Sequence, residues 1–286
     1  MKKLLFAAAA LLMIACTTKE SVETGNQDDS VNVTFCITPD PWQYTTDPMR
    51  TRALDADGKA MTDIWVLDYD SDGNIQQQLH QSSTDDDFGR PTLTLAVGAH
   101  HIYFVASRGQ GGALDTDTHT LTFTKVSDTF YKDLALNVQA TTNGSQAVTL
   151  DRCVTKLRLT LEDAIPATAA TFNITPASWY YTIDYTTGNP TTATSSQAIA
   201  INIPSANIGQ TGLDVSIFSF SGTDEWSTDV TFNCKDNDDN TLGTVTVTAP
   251  MKRNRVSAFA GPLFSSNSPL VLSLNTDWDT EHAGTW

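Results

Sequence analysis

Basic residues are scarce in this chain: 17 Lys and Arg stand against 33 Asp and Glu in 286 residues, a formal net charge of −16. The few cations form no cluster, which excludes nucleic acid as a partner, because that binding depends on grouped Lys and Arg displacing counterions from phosphates. An acidic surface of this kind keeps a crowded protein soluble. Long apolar runs are also lacking. The one candidate, residues 4–14, falls short of the roughly 20 apolar residues needed to span a bilayer. No segment carries an amphipathic helical repeat with caps, which argues against α/β nucleotide-binding folds. Catalytic signatures are missing as well: there is no His-Glu-x-x-His, no Gly-x-Ser-x-Gly, and the glycines between Arg108 and Gly112 precede no helix that could present amides to a phosphate. Nothing specifies an enzyme, a cofactor or a metal.

What the chain does have begins at its N-terminus. Lys2 and Lys3 form a positive n-region, residues 4–14 an apolar h-region, and Ala15 is the small residue before Cys16. Met13-Ile14-Ala15-Cys16 resembles a bacterial lipobox, with residues 1–15 removed as a signal peptide and Cys16 exposed for acylation. Losing Lys2 and Lys3 takes the formal charge to −18. One acyl chain binds a membrane only marginally, whereas two or three chains on Cys16, palmitate among them, would hold the protein stably on the outer membrane. Residues 16–30 are polar, carry Glu20, Glu23, Asp28 and Asp29, and read as a flexible tether. Such acidic residues after a lipidated cysteine resemble signals for the outer face of the outer membrane; a merely solvated linker is the other reading.

Beyond the tether, Thr, Val, Ile, Phe, Tyr and Trp dominate the apolar segments, residue types that pack well on a pleated surface. Residues 31–38 alternate, with Val31, Val33, Phe35 and Ile37 on one face. Further strands are expected at 64–69, 93–97, 102–106, 120–126, 134–138, 154–161, 171–175, 179–185, 198–203, 213–220, 230–234, 242–248, 255–259 and 270–274. The fold class is therefore all-β, as antiparallel β-sandwiches. A length well beyond a single core favours two domains, 31–144 and 145–286, with the seam at Thr141-Thr142-Asn143-Gly144-Ser145. With Cys16 set aside, Cys36, Cys153 and Cys234 are an odd number that cannot all pair. Alternation puts Cys36 on the polar face and the other two in phase with core residues, where they either form a disulfide or stay as buried thiols.

Two acidic runs could bind calcium. Asp68-Tyr69-Asp70-Ser71-Asp72-Gly73 begins like a calcium loop, but Leu79 stands where a bidentate Glu is required, and a hairpin turn accounts for the run. Asp236-Asn237-Asp238-Asp239-Asn240 is a second acidic turn. Adjacent His100 and His101 face opposite sides of a strand and cannot chelate together. His80, His119 and His282 are scattered. Trp42, Trp65, Trp179 and Trp226 are either carbohydrate-stacking platforms or core residues.

Several stretches, in order, resemble the Bacteroidales fimbrillin and fimbrial-anchor superfamily of surface lipoproteins. They are the lipobox, the run Thr62 through Gly73, and Leu95-Ala96-Val97-Gly98-Ala99-His100-His101-Ile102-Tyr103-Phe104-Val105-Ala106-Ser107. They continue with Leu150-Asp151-Arg152-Cys153-Val154-Thr155-Lys156-Leu157, Lys252-Arg253-Asn254-Arg255-Val256, Gly261-Pro262-Leu263-Phe264, and Asn275-Thr276-Asp277-Trp278. The resemblance implies two tandem transthyretin-like sandwiches and a fimbrial anchor or accessory subunit acting in adhesion through strand pairing with other fimbrial subunits. It also implies a protease cut at Arg50 or Arg52, and a groove filled by Val31, Val33, Phe35 and Ile37 or by a donor carrying Leu270, Leu272 and Leu274. The rival reading is a glycan-binding lipoprotein of a nutrient-uptake system, which needs exposed tryptophans along a groove.

Overall fold

A computed structural model describes residues 30–39, 61–109, 111–142, 144–194, 197–265 and, for the backbone alone, 271–275. The expected all-β architecture is what these residues form, with a single 3-10 turn at Ser205–Asn207 among the strands.

The first layer pair is one seven-stranded sheet folded over on itself. Its strands are β1 (Ser30–Pro39), β2 (Asp63–Asp70), β3 (Ile75–Ser82), β4 (Thr92–Ala96), β5 (Gly98–Ser107), β8 (Thr129–Val138) and β9 (Ser145–Arg152), in the order β3-β2-β5-β8-β9-β1-β4. Only two residue pairs, Phe130↔Arg152 and Tyr131↔Asp151, join β8 to β9, and there the sheet turns over. Alternation in β1 does what its sequence dictates: Val33, Phe35 and Ile37 face inward with Ile64, Val66, Phe104 and Leu150, while Cys36 stays at the half-buried edge of the layer.

The two ends of this sheet meet. Gln77 on β3 presents its side-chain amide to β4, its Oε1 accepting from Thr94 N at 3.3 Å and its Nε2 donating to Thr94 O. The next outward carbonyl, Ala96 O, accepts from His100 Nε2 at 2.9 Å. Side chains thus cap the free edge of β4, which would otherwise present an open hydrogen-bonding row.

The second layer pair consists of β10 (Val154–Leu161), β15 (Leu213–Phe220), β18 (Val256–Gly261) and β19 (Val271–Asn275) in one sheet, order β15-β10-β18-β19. Facing it are β11 (Ala169–Pro176), β14 (Ile199–Asn202), β16 (Trp226–Asp236) and β17 (Thr241–Met251), order β14-β11-β16-β17. Between the pairs runs a small sheet of β6 (Ala113–Asp115), β7 (Thr120–Thr122), β12 (Thr182–Asp184) and β13 (Asn189–Pro190). Its β7–β12 pairing ties a segment near residue 120 to one near residue 183.

Differences from the sequence expectation have physical causes. Strands β7 and β12 are shorter than the runs 120–126 and 179–185, because Phe123, Val126 and Trp179 leave the ladder to fill the core. β3 was not expected: Gln76, Gln77 and Gln78 are polar on both faces, and its pairing with β2 comes from the hairpin turn. β9 begins at the expected seam yet pairs with β1 and β8 of the first sheet. Cys153 and Cys234 are reduced thiols in the core, so the disulfide alternative does not hold; burial pushes them up to about 12 and about 11.

Candidate functional site

The residues that the sequence marks for assembly fall on β1. That strand lies inside its sheet, parallel to β9 from Thr34↔Ser145 to Pro39↔Leu150 and antiparallel to β4 from Ser30↔Ala96 to Thr34↔Thr92. Phe35 is fully buried and meets Phe104 edge-on at 5.3 Å between ring centres. Val33 and Ile37 are buried on either side of it, and Val31 is half-buried where the strand begins. On the opposite face Thr34 Oγ1 lies 2.8 Å from Thr92 Oγ1, and Thr94 Oγ1 donates to Asn32 Oδ1 at 2.8 Å. Without β1, a groove would open along β9 and β4, walled by Leu93, Leu95, Val148 and Leu150.

Leu272 and Leu274 lie on β19, which among the described residues pairs with β18 alone, from Ala260↔Val271 to Val256↔Asn275. Cys16, Arg50, Arg52, Leu270, Trp42 and Trp278 lie outside the described residues.

Two stretches singled out by the resemblance, 150–157 and 252–256, converge at the junction between the layer pairs. Arg152 holds Asp128 through Nε at 2.7 Å and Nη2 at 3.1 Å, donates from Nη1 to Asn254 Oδ1 at 3.0 Å, and sits 5.2 Å from the centre of the Phe130 ring. Asn254 adopts φ +54° and donates its N–H to Val154 O at 2.8 Å, while Arg253 Nε donates to Ser221 O at 2.9 Å. Asp163 accepts from the amides of Leu263, Phe264 and Ser265, which fixes the turn after β18. These residues are fold hardware: the Arg152–Asp128 pair, the Arg253 bonds to backbone carbonyl oxygen and the Asp163 carboxylate all serve to fix neighbouring strands and turns.

The acidic turns are likewise structural. Asp70 Oδ1 accepts from the amides of Asp72 and Asn74, both at 2.9 Å, and Asp236 Oδ1 does the same for Asp238 and Asn240, both at 2.9 Å. Positive φ follows at Gly73 (+81°) and Asp239 (+66°). Hydrogen bonds within each turn, foremost from the Asn74 backbone to Asp70 and from the Asn240 side chain to Asp236, hold both carboxyls below the usual carboxylate range. Among the described residues no group of three or more His, Cys, Asp or Glu is placed to hold a metal ion.

His100 and His101 face opposite ways, as alternation requires. His100 is buried with Nδ1 at 2.7 Å from Asp68 Oδ1, while His101 is half exposed. A carbonyl only accepts, so the bond to Ala96 O places a hydrogen on Nε2. Burial pushes the Asp68 carboxyl up, against the pull of His100.

Three of the four tryptophans named for a glycan groove are packed side chains, and the fourth, Trp42, lies outside the described residues. Trp65 and Trp179 are buried core residues, and Trp226 is half-buried edge-on against Tyr180 and Trp179, at 5.1 and 6.4 Å between ring centres. None of these three is a free platform.

No family model and no curated protein matches the chain. Solved structures do. A protein provisionally named an adhesin, from Bacteroides ovatus, superposes with a TM-score of 0.51 at 14% identity, over 86% of this chain and 94% of its own. That likeness gives the all-β architecture a solved counterpart. A fimbrial assembly protein from Parabacteroides distasonis (TM-score 0.45, 11% identity, 86% and 96% covered) and the tip fimbrial protein Mfa3 from Porphyromonas gingivalis with C-terminal truncation (TM-score 0.43, 12%, 87% and 100%) are similar at lower scores.

Proposed function

We propose that this chain is a fimbrial surface lipoprotein, an anchor or accessory subunit that acts in adhesion by pairing strands with other subunits. In this reading residues 1–15 are a signal peptide and lipidated Cys16 holds the protein on the outer membrane. The fold comprises two transthyretin-like units, divided after Arg152, because β9 completes the first sheet. The names of the structural neighbours point the same way. One observation carries the reading: β1 is an N-terminal strand inserted between a parallel and an antiparallel neighbour, with alternate apolar side chains in the core. A strand held in this way has the geometry that β-augmentation uses, in which main-chain bonds supply affinity and alternate pockets supply specificity. An anchor keeps β1, so its groove is full from the start.

Intact-mass measurement of the surface protein, followed by treatment with an Arg-specific protease and sizing of the product, tests the proposal. We expect acyl mass on Cys16 and a monomer that the cut leaves unchanged. Ordered polymers that form only after cutting, and vanish in an Arg50/Arg52 double substitution, would show a polymerising stalk subunit instead.

A further inference from the structure

Asp68 and His100 are a buried polar pair that strand pairing by β1 does not use. Asp68 is fully buried on β2 and His100 is 4% exposed on β5, at the end of the first layer pair where the folded sheet closes. Three side chains share the inward face there. Gln77 stands opposite Asp68 in the β2–β3 ladder and reaches Thr94, while His100 reaches Ala96 O with Nε2 at 2.9 Å and Asp68 Oδ1 with Nδ1 at 2.7 Å. The imidazole is thus a bridge from β2 to the outer edge of β4.

That bridge depends on one proton. The Ala96 carbonyl only accepts, so Nε2 carries a hydrogen; the contact between Nδ1 and Oδ1 then needs one more proton between them, on the ring or on the carboxyl. The proton belongs to the pair. Once it passes to a base in solvent, the ring has a single hydrogen for two acceptors. Kept on Nε2, that hydrogen leaves the Nδ1 lone pair against the carboxylate; moved to Nδ1, it leaves the Nε2 lone pair against Ala96 O. In either form one of the two contacts turns repulsive in a site shielded from water.

A second observation agrees. Asp68 Oδ2 is buried with no hydrogen-bond partner among the described residues, which disfavours the charged carboxylate, and burial pushes this carboxyl up. The register partners of the pair are Gln77 and Ile102 for Asp68, and Asp70 and Leu136 for His100; β4 adds Thr94 and Ala96. Of these Asp70 alone titrates. His101 points to the opposite face, 3.6 Å from Asp133.

We infer that Asp68 and His100 form a one-proton latch that holds the end of β4 closed and frees its outer edge when the proton leaves. Because burial raises the folded value of Asp68, the folded pair keeps a proton that an unfolded aspartate releases above about pH 3.9. Closure is therefore favoured at low pH and lost as pH rises through the folded value. Open, the edge loses the Ala96 bond and Thr94 is held by the half-buried Gln77 side chain alone, leaving a row to which another strand can add. The latch is independent of the assembly reading, since β1 pairs with the other side of β4.

Hydrogen exchange of the full purified chain, followed by NMR from about pH 5 to about pH 9, brackets the range in which protein histidines titrate and tests the latch. After correction for intrinsic exchange, protection of the Thr94 N–H should fall about tenfold, the worth of one hydrogen bond, with the same midpoint as the imidazole nitrogens of His100. Asp68→Asn offers Nδ1 an amide hydrogen that does not titrate, so Thr94 should keep its low-pH protection across the whole range. His100→Ala should leave Thr94 weakly protected at every pH. Both midpoints are read on the unaltered chain, so the test stands even where a variant fails to fold. Protection that does not change with pH, a midpoint different from that of His100, or an unaltered step in Asp68→Asn would each overturn the latch.

Discussion

The two layer pairs handle their apolar surface differently. The core of the first is closed within its own folded sheet, from Val33 and Phe35 on β1 to Phe130 and Leu150 on β8 and β9. The core of the second reaches across the junction and takes in Trp65, Leu67 and Tyr69 of β2 together with Val105 of β5. β2 is consequently covered on both sides: Ile64 and Val66 face one core, Trp65 and Leu67 the other, and all four are at most 4% exposed. Tyr69 Oη lies 2.7 Å from Tyr185 Oη, and Tyr131 packs where a Cβ on Gly188 would come within 2.4 Å of its ring. The first pair is a self-contained unit, whereas the second is completed by the outer face of the first.

That asymmetry is easiest to break at Phe35. Phe35→Asp buries a carboxylate in the closed core and should cost about 4 kcal/mol or more, abolishing cooperative unfolding of the first pair. The second pair should lose stability along with it, because β2 walls its core. Asn32→Asp, on the exposed phase of the same strand, should change stability by no more than about 0.5 kcal/mol. Urea unfolding followed by tryptophan fluorescence measures both, and equal losses would show the strand to be out of register.

Arg152→Ala tests the junction. It leaves Asp128 buried without its partner, and loss of one member of a buried pair costs about 3–5 kcal/mol. Calorimetry should then resolve two transitions where the parent shows one; a single transition at lower temperature would mean the shared core alone couples the pairs. Gly188→Ala should have a smaller effect. Its φ of +67° and the Tyr131 ring both oppose a Cβ, a combined strain of about 1–3 kcal/mol, read as a melting point lowered by about 2–4 °C for each kcal/mol.

The smallest effect separates the pairs by their turns. Asp70 closes a hairpin of the first pair and Asp236 one of the second, and hydrogen bonds hold both carboxyls below their ordinary value. A depressed folded value means that each turn's contribution is fully present above the unfolded pKa of about 3.9 and is lost as pH falls through the folded value. Asp68 acts in the opposite sense, since burial raises its folded value. Asp70→Asn and Asp236→Asn should each flatten the loss of stability below about pH 4 to a similar degree; a flattening confined to one would show that the two turns are not equivalent.

Sequence alternation made β1 legible residue by residue, because one face of that strand is dry and the other wet. β2 read as a strand, but its uninterrupted apolar run did not reveal that two different cores claim its two faces. β3 was hidden by its glutamines, whose worth lies in a side-chain amide that reaches another strand. The junction was visible only as two stretches a hundred residues apart; that Arg152 and Asn254 meet is a property of topology.

The parallel pairing of β1 with β9 has a mechanical meaning. β9 runs through Arg152 straight into β10 of the second pair, and β1 enters the sheet at Ser30 from the opposite end. A pull applied at Ser30 and resisted through β10 therefore draws two parallel strands past one another along their common axis. The register pairs from Thr34↔Ser145 to Pro39↔Leu150 are loaded together in shear, not opened one after another like a zipper. The strand that completes the first core is thus also a clamp aligned with any force passing from the N-terminus to the second pair.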